Sequence, residues 1–372
     1  MKAVGIILAG GNNRRMGLLT KKRAVAAMPV AGSYRAVDFA LSNMTNSHIQ
    51  KVAVLTQYNS RSLHEHLNSS KWWDFGRKHG GLYIFTPTIT DRFGDWYRGT
   101  ADAIYQNLEF LRNCHEPYVV IASADAIYKM DYNDLLDYHI AKRADITVAV
   151  RHFAPDEDPS RYGILGMDAD NRITDFEEKP MAPRFDLMNM GIYVVRRRRL
   201  IELIEKCGEE DAYDFVNDIL IRYKNVKKIY GYPVKAYWTN IADIKAYYKA
   251  NMDFLKPEVR NYFFKSYPEI YSRVSDYPPA KFYSGAILKN ALAGGGSIIN
   301  GTVENAVLFK KVYVGSGAVI KNSIILNNVY IGDNAYIENC IVESHGTIRS
   351  GKRYVGEEGI RVVALEDDRY ML

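Results

Sequence analysis

Val303-Glu304-Asn305-Ala306-Val307-Leu308 returns as Ile320-Lys321-Asn322-Ser323-Ile324-Ile325, and again as Ile337-Glu338-Asn339-Cys340-Ile341-Val342. The copies are evenly spaced. Between them stand Val312-Tyr313-Val314-Gly315-Ser316-Gly317-Ala318 and Val329-Tyr330-Ile331-Gly332-Asp333-Asn334-Ala335, with a fainter relative at Thr347-Ile348-Arg349-Ser350-Gly351. Aliphatic residues about every six positions, followed by Gly and small residues, mark a triangular β-helix with three short strands per coil. One coil cannot bury its apolar side alone, so stacked coils share a core. The repeat falls one residue short of three full hexads, which predicts that one side of each coil is trimmed.

Upstream the texture differs. Val4–Leu8, Val52–Thr56, Tyr118–Ala122, Ile146–Val150 and Ile192–Val195 are short apolar runs, as buried parallel strands should be. Helical stretches such as Ala101–Arg112 and Asn133–Lys142 lie between them. The alternation predicts a largely parallel sheet covered by helices, with ligands beyond the carboxyl ends of the strands. Residues 1–252 read as this α/β domain and 283–372 as the β-helix. Residues 253–282, with four prolines and many Tyr and Phe, read as a packed connector.

Size and composition fit two folded domains. No apolar run is long enough to span a bilayer, and the first strand is too short and too quickly followed by Gly10-Gly11 and Arg14-Arg15 to be a signal peptide. Cys114, Cys207 and Cys340 are scattered and odd in number, which predicts reduced thiols in a cytoplasm. The net charge of +6 is modest. Arg196–Arg199 reads as a solvated helix start rather than a nucleic-acid site, because no recognition module accompanies it.

The turn Gly10-Gly11-Asn12-Asn13-Arg14-Arg15 lets backbone N–H groups approach phosphates, with arginines supplying charge. Alone, a Gly-Gly turn is weak evidence. Further motifs follow in order: Leu19–Ala24, Tyr34–Asn43, Thr56-Gln57-Tyr58, Trp96–Ala103, Asp125–Tyr132, Phe176–Pro180 and Asn189–Tyr193. Pro278–Phe282 and Gly356–Ile360 complete the set.

In this order the motifs resemble the ADP-glucose pyrophosphorylase (glucose-1-phosphate adenylyltransferase) family across essentially the whole chain. The resemblance implies a Rossmann-like, GT-A-like nucleotidyltransferase domain with a mostly parallel sheet, followed by a left-handed parallel β-helix. It implies that Gly10, Gly11 and Arg15 form the nucleotide-phosphate loop, and that Gln57, Gly99 and Thr100 frame the nucleotide. Asp125 corresponds to an aspartate that anchors a catalytic Mg²⁺. Gly163, Glu178, Lys179 and Asn189 correspond to sugar-phosphate positions. Phosphorylated effectors are expected near the junction of the domains, with Lys22, Arg23, Arg35 and Lys281 as candidates.

Several positions depart from the family pattern. Asn13 stands for a Gly of the phosphate loop, and Val25-Ala26 for a Lys-Pro pair. Asn240 stands for the second metal-binding aspartate, and Thr239 for an Arg. A neutral amide lacks the charge that a hard cation prefers, so retention of Mg²⁺ is doubtful. The combination resembles the GlgD-type subunit of glycogen biosynthesis, found beside a catalytic C-type partner in some bacteria. It implies a cytoplasmic, weakly active or inactive subunit in a hetero-oligomer, a tetramer by family expectation. ATP, glucose 1-phosphate or ADP-glucose, or a phosphorylated effector, are the expected ligands; nucleic acid and membrane are not. Two alternatives carry different expectations: an active adenylyltransferase, and a β-helix acyltransferase using His345.

Overall fold

The computed structural model describes residues 3–11, 14–76, 80–89, 96–154 and 157–364. Nine strands form the main sheet: β1 (Ala3–Leu8), β2 (Lys51–Leu55), β3 (Gly81–Phe85), β4 (Tyr118–Ser123), β5 (Ile146–His152), β6 (Gly163–Met167), β7 (Ile173–Glu178), β8 (Leu187–Arg196) and β9 (Ile229–Pro233). Along β3-β2-β1-β4 every pairing is parallel. β8 then runs antiparallel to β4, β5 and β6. β7 is antiparallel to β6, and β9 parallel to β5.

The strands read as unbroken apolar runs because both faces of the sheet are covered. In β4, Val119 and Ile121 enter one core while Val120 and Ala122 enter the other. The expected helix over Ala101–Arg112 is interrupted: Thr100–Tyr105 and Leu108–Arg112 are separate segments. Arg197 opens the helix Arg197–Glu209, and its guanidinium bonds the carbonyls of Glu116 and Leu111. Arg199 pairs with Glu202 at 2.7 Å, so the basic run is partly spent on the protein itself.

A third core joins the sheet domain, the aromatic connector and the β-helix. It packs Phe39, Phe254 and Phe263 with Val307, Ile324 and Ile341. Tyr237 meets Phe263 edge-on at 5.4 Å. The connector therefore holds the two domains by apolar packing.

In the β-helix, Val303 pairs with Ile320, Ile320 with Ile337 and Ile337 with Tyr354, all parallel. A second face stacks Ile298, Tyr313, Tyr330 and Thr347. A third stacks Val307, Ile324, Ile341 and Val362. Asn290, Asn305, Asn322 and Asn339 turn one corner at φ 46, 48, 43 and 52°. Asn tolerates this left-handed backbone better than most residues. The amides also form a ladder, Asn290 to Asn305 at 3.0 Å and Asn305 to Asn322 at 2.7 Å. His345 turns another corner at φ 62°. Residues 365–372 of the expected β-helix domain lie outside the described residues.

Candidate active site

A cleft of about 490 Å³ opens beyond the carboxyl ends of β1, β2 and β4, where a parallel sheet places its ligands. Leu8–Gly11, Gln57, Gly99, Thr100 and Ser123–Asp125 line it. Ala9 N–H donates to the Leu55 carbonyl at 2.8 Å and Ala124 N–H to the Leu8 carbonyl at 3.0 Å, so the three strand ends open at one level.

The glycines divide into two kinds. A Cβ on Gly11 would meet no heavy atom within 4 Å among the described residues, and one on Gly10 would meet only ordinary contacts at 3.7 Å. The described residues leave open the space a side chain would fill. At Gly99 the added atom would lie 2.3 Å from the Tyr213 carbonyl oxygen, and at Gly163 it would lie 2.7 Å from the Phe176 ring. Those two glycines answer to packing. Arg15 is exposed on the turn Arg14–Thr20. Asn13 lies outside the described residues.

Gln57 is fixed by a two-way exchange with Tyr97. Its amide nitrogen donates to the Tyr97 carbonyl at 3.1 Å, and its oxygen accepts from Tyr97 N–H at 2.8 Å. The side chain thereby ties the loop before Gly99 to the end of β2. Thr100 Oγ1 accepts from Phe215 N–H at 2.9 Å. Val25 and Ala26 form an apolar stretch of the cleft wall and are themselves buried.

Asp125 is followed by the short strand Ala126–Tyr128, so it is not a helix cap. Ser123 Oγ donates to its Oδ1 at 2.5 Å. The strand Trp238–Asn240 pairs antiparallel with Ala126–Tyr128 and sets Asn240 opposite Ala126, while Ile241 N–H donates to the Asp125 carbonyl at 2.8 Å. The pair foreseen from the sequence is therefore brought together. Its chemistry is not that of two carboxylates. Asn240 Oδ1 accepts from Ala242 N–H at 2.7 Å and lies 3.4 Å from Arg161 Nη2. Asp243 does not replace the missing charge: its Oδ1 caps the helix Ile244–Asp253 at Ala246 N–H, and its Oδ2 lies 3.0 Å from Arg161 Nε. Mg²⁺ sites are built on carboxylate oxygens with room for water. One carboxylate and one engaged amide oxygen beside a guanidinium do not make a two-carboxylate clamp.

Gly163 stands opposite Glu178 in the β6–β7 register. Lys179 turns at φ 50°, and its Nζ lies 2.8 Å from Glu178 Oε1. Asn189 spends its amide within its own strand, donating to the Tyr193 hydroxyl at 2.8 Å and accepting from Gly191 N–H at 2.9 Å. Burial pushes the nearby Tyr162 phenol up to about 12, so it stays protonated across the physiological range.

A second cavity, about 760 Å³, lies where the sheet domain meets the β-helix. Lys21, Lys22, Arg23, Arg35, Arg273 and Lys310 supply its positive charge. Arg35 is held by the Ser62 carbonyl at 2.7 Å. Burial pushes the Lys310 ammonium down from its ordinary value, with Asp38 opposing and Arg35 and Arg273 reinforcing. Lys22, Arg23 and Arg35 thus gather as expected. Lys281 does not: it is exposed, stacked over Tyr283 at 4.6 Å. The sequence reading missed Arg161, Arg273 and Lys310, whose neighbours are set by tertiary pairing and leave no local pattern.

The fold and the site define a nucleotidyltransferase-type protein with a hexapeptide-repeat domain. Residues 4–257 match the nucleotidyl transferase family, and residues 278–361 match the GlmU-like C-terminal hexapeptide family. A protein of Thermosipho melanesiensis named glucose-1-phosphate adenylyltransferase is 42% identical over 319 residues, covering 85% of this chain and 77% of that protein. Proteins of the same name from Clostridium perfringens (strain 13) and Clostridium acetobutylicum are 42% and 40% identical over 321 and 320 residues, each over 85% of this chain and over 81% and 84% of their own length. The chain belongs to the glucose-1-phosphate adenylyltransferase family of nucleotidyl transferases. No helix among the described residues is long and apolar enough to cross a membrane.

Proposed function

We propose that this chain is a regulatory or scaffolding subunit of a glucose-1-phosphate adenylyltransferase, catalytically weak alone and paired with a catalytic subunit in glycogen-type glucan synthesis. The observation that carries this reading is Asn240, whose oxygen is engaged by Ala242 N–H and faces Arg161 where a second carboxylate would be needed. Losing a metal clamp removes charge stabilisation from phosphoryl transfer, so a deficit of several orders of magnitude follows. The apolar wall at Val25 and Ala26 removes a further cation. The cleft retains Gly10, Gly11, Gln57 and Asp125, which supports binding of ATP or ADP-glucose without efficient turnover. The basic cavity at the junction is read as the place of a phosphorylated effector.

The test is pyrophosphate release from ATP, glucose 1-phosphate and Mg²⁺, with this chain alone and mixed with a catalytic subunit. Negligible turnover alone, with a changed rate or effector response in the mixture, is the expected result. Turnover alone equal to that of a competent enzyme would sink the proposal.

The second reading is an active adenylyltransferase, favoured by about 40% identity to proteins of that name. Asn240→Asp separates the two. A large gain in rate supports the weak-subunit reading, whereas an active enzyme needs no carboxylate there and changes little.

A further inference from the structure

Arg161 enters the function proposed above only as the neighbour of Asn240, yet its side chain is closely held beside the Asp125–Asn240 pair. Its side chain is 13% exposed and that of its partner Asp243 20%. Nε lies 3.0 Å from Asp243 Oδ2, and Nη2 lies 3.4 Å from Asn240 Oδ1. Nε makes no well-directed hydrogen bond among the described residues, so charge rather than hydrogen-bond geometry holds it there. Asp243 is itself immobilised by capping a helix. The Tyr162 ring adds a cation–π contact at 5.3 Å. A guanidinium held on three sides by a carboxylate, an amide oxygen and a ring is a fixed positive charge.

We infer that Arg161, in place of a divalent cation, supplies the positive charge at the Asp125–Asn240 end of the cleft, and that the chain takes a nucleotide sugar without a metal ion. The inference rests on the reading of the cleft as a nucleotide site. Three observations carry it. The strand register pairs position 240 with Ala126, next to Asp125 of the cleft wall, so Asn240 and the Arg161 guanidinium stand directly behind that wall rather than among the residues that line it. The Asn240 oxygen already accepts from Ala242 N–H and turns toward Arg161, which leaves it poorly placed to ligate a cation. A guanidinium has five N–H donors in a planar fork matched to phosphate oxygens, and the Asp243 and Asn240 contacts engage only its Nε and Nη2 atoms. A fixed guanidinium orients a pyrophosphate but cannot present a metal-bound geometry to an attacking oxygen. Binding without turnover follows.

The test is calorimetric titration of the full chain with ADP-glucose, in Mg²⁺ buffer and in EDTA. ADP-glucose is the probe because ATP binds Mg²⁺ in solution and would make any site look metal-dependent. The expected affinity is the same in both buffers within about twofold, and Arg161→Gln weakens it at least about tenfold in both. Thermal unfolding of the variant shows whether it is folded; the wild-type comparison decides even where it is not. In parallel, the Mn²⁺ resonance spectrum is recorded with the wild-type chain before and after adding ADP-glucose, with no protein-bound signal expected. A tenfold loss of affinity in EDTA, or capture of Mn²⁺ by the complex, overturns the inference and leaves the nucleotide reading standing. Heat of binding absent from both buffers overturns the two together. An Arg161→Gln variant that folds and binds as the wild type does also overturns it.

Discussion

Arg23 of the sheet domain and Glu343 of the β-helix, 320 positions apart, form an ion pair at the wall of the junction cavity. Their side chains are 13% and 15% exposed. The segment that carries Arg23 also carries Val25 and Ala26 of the cleft at the strand ends, so one short stretch of chain borders both cavities. Glu343 is an internal anion among Lys21, Lys22, Arg35, Arg273 and Lys310.

Glu343→Gln is expected to act in two directions. It leaves a half-desolvated guanidinium without its partner and lowers stability by about 2 kcal/mol. It also removes a competitor for any anion in the cavity. Unfolding midpoints measured with and without inorganic phosphate check this. The phosphate-induced rise should be larger in the variant than in the wild type; an equal rise would mean that Glu343 does not compete.

A second prediction concerns pH. His139 is fully buried, with Nδ1 2.8 Å from Thr147 Oγ1 and no partner for Nε2 among the described residues. Burial, reinforced by Arg196 and opposed by Asp145, lowers its pKa to about 4. Between the unfolded value of about 6.5 and this value, the unfolded chain binds a proton that the folded chain refuses. Stability is therefore complete above pH 6.5 and falls as the pH drops toward 4, by about 3 kcal/mol from this group. His139→Gln keeps a hydrogen-bonding group near Thr147 but cannot titrate. Its chemical-denaturation midpoints should depend less steeply on pH over that window, and an unchanged slope would place the acid sensitivity elsewhere.

The corners of the β-helix give a third. Asn322 combines φ 43° with the 2.7 Å bond from Asn305. Asn322→Gly removes the amide and keeps the backbone at ease, at a cost of about 1 kcal/mol. Asn322→Ala adds left-handed strain of about 1–2 kcal/mol. Denaturant titration of both variants separates the two effects. Equal losses would show that the ladder alone, and not the left-handed turn, selects asparagine.

Where the sequence was readable, the physics was local and repeated. Asn305, Asn322 and Asn339 recur because the same corner recurs, and β4 is apolar throughout because helices bury both its faces. Gly10, Gly11 and Asp125 were visible because they follow strand ends, where a parallel sheet opens. Arg161 and Glu343 look like any solvated charge in the sequence. They acquire meaning only when antiparallel pairing brings residues 126 and 240 together, and when the β-helix docks on the segment carrying Arg23. Lys281 misled for the converse reason: it is adjacent in sequence to the β-helix entry, but its side chain lies over Tyr283 and it is not among the residues that line the junction cavity.

The two classes of glycine at the cleft yield the last prediction. Among the described residues Gly11 has open space where a Cβ would go, so Gly11→Ala should leave folding stability within about 0.5 kcal/mol of the wild type. Any phosphate that approaches the backbone there would meet the new methyl group, so ADP-glucose affinity should fall at least about tenfold. Gly99→Ala should do the reverse. Its Cβ would press on the Tyr213 carbonyl, which accepts from Ala101 N–H at 2.8 Å and Asp102 N–H at 3.2 Å, and the helix start would be displaced. A loss of about 2–3 kcal/mol is expected, with any effect on affinity following from it. Denaturation and titration of the two variants side by side decide the matter. If Gly11→Ala destabilises the chain as Gly99→Ala does, the glycine serves the fold, and the phosphate cradle loses its main support.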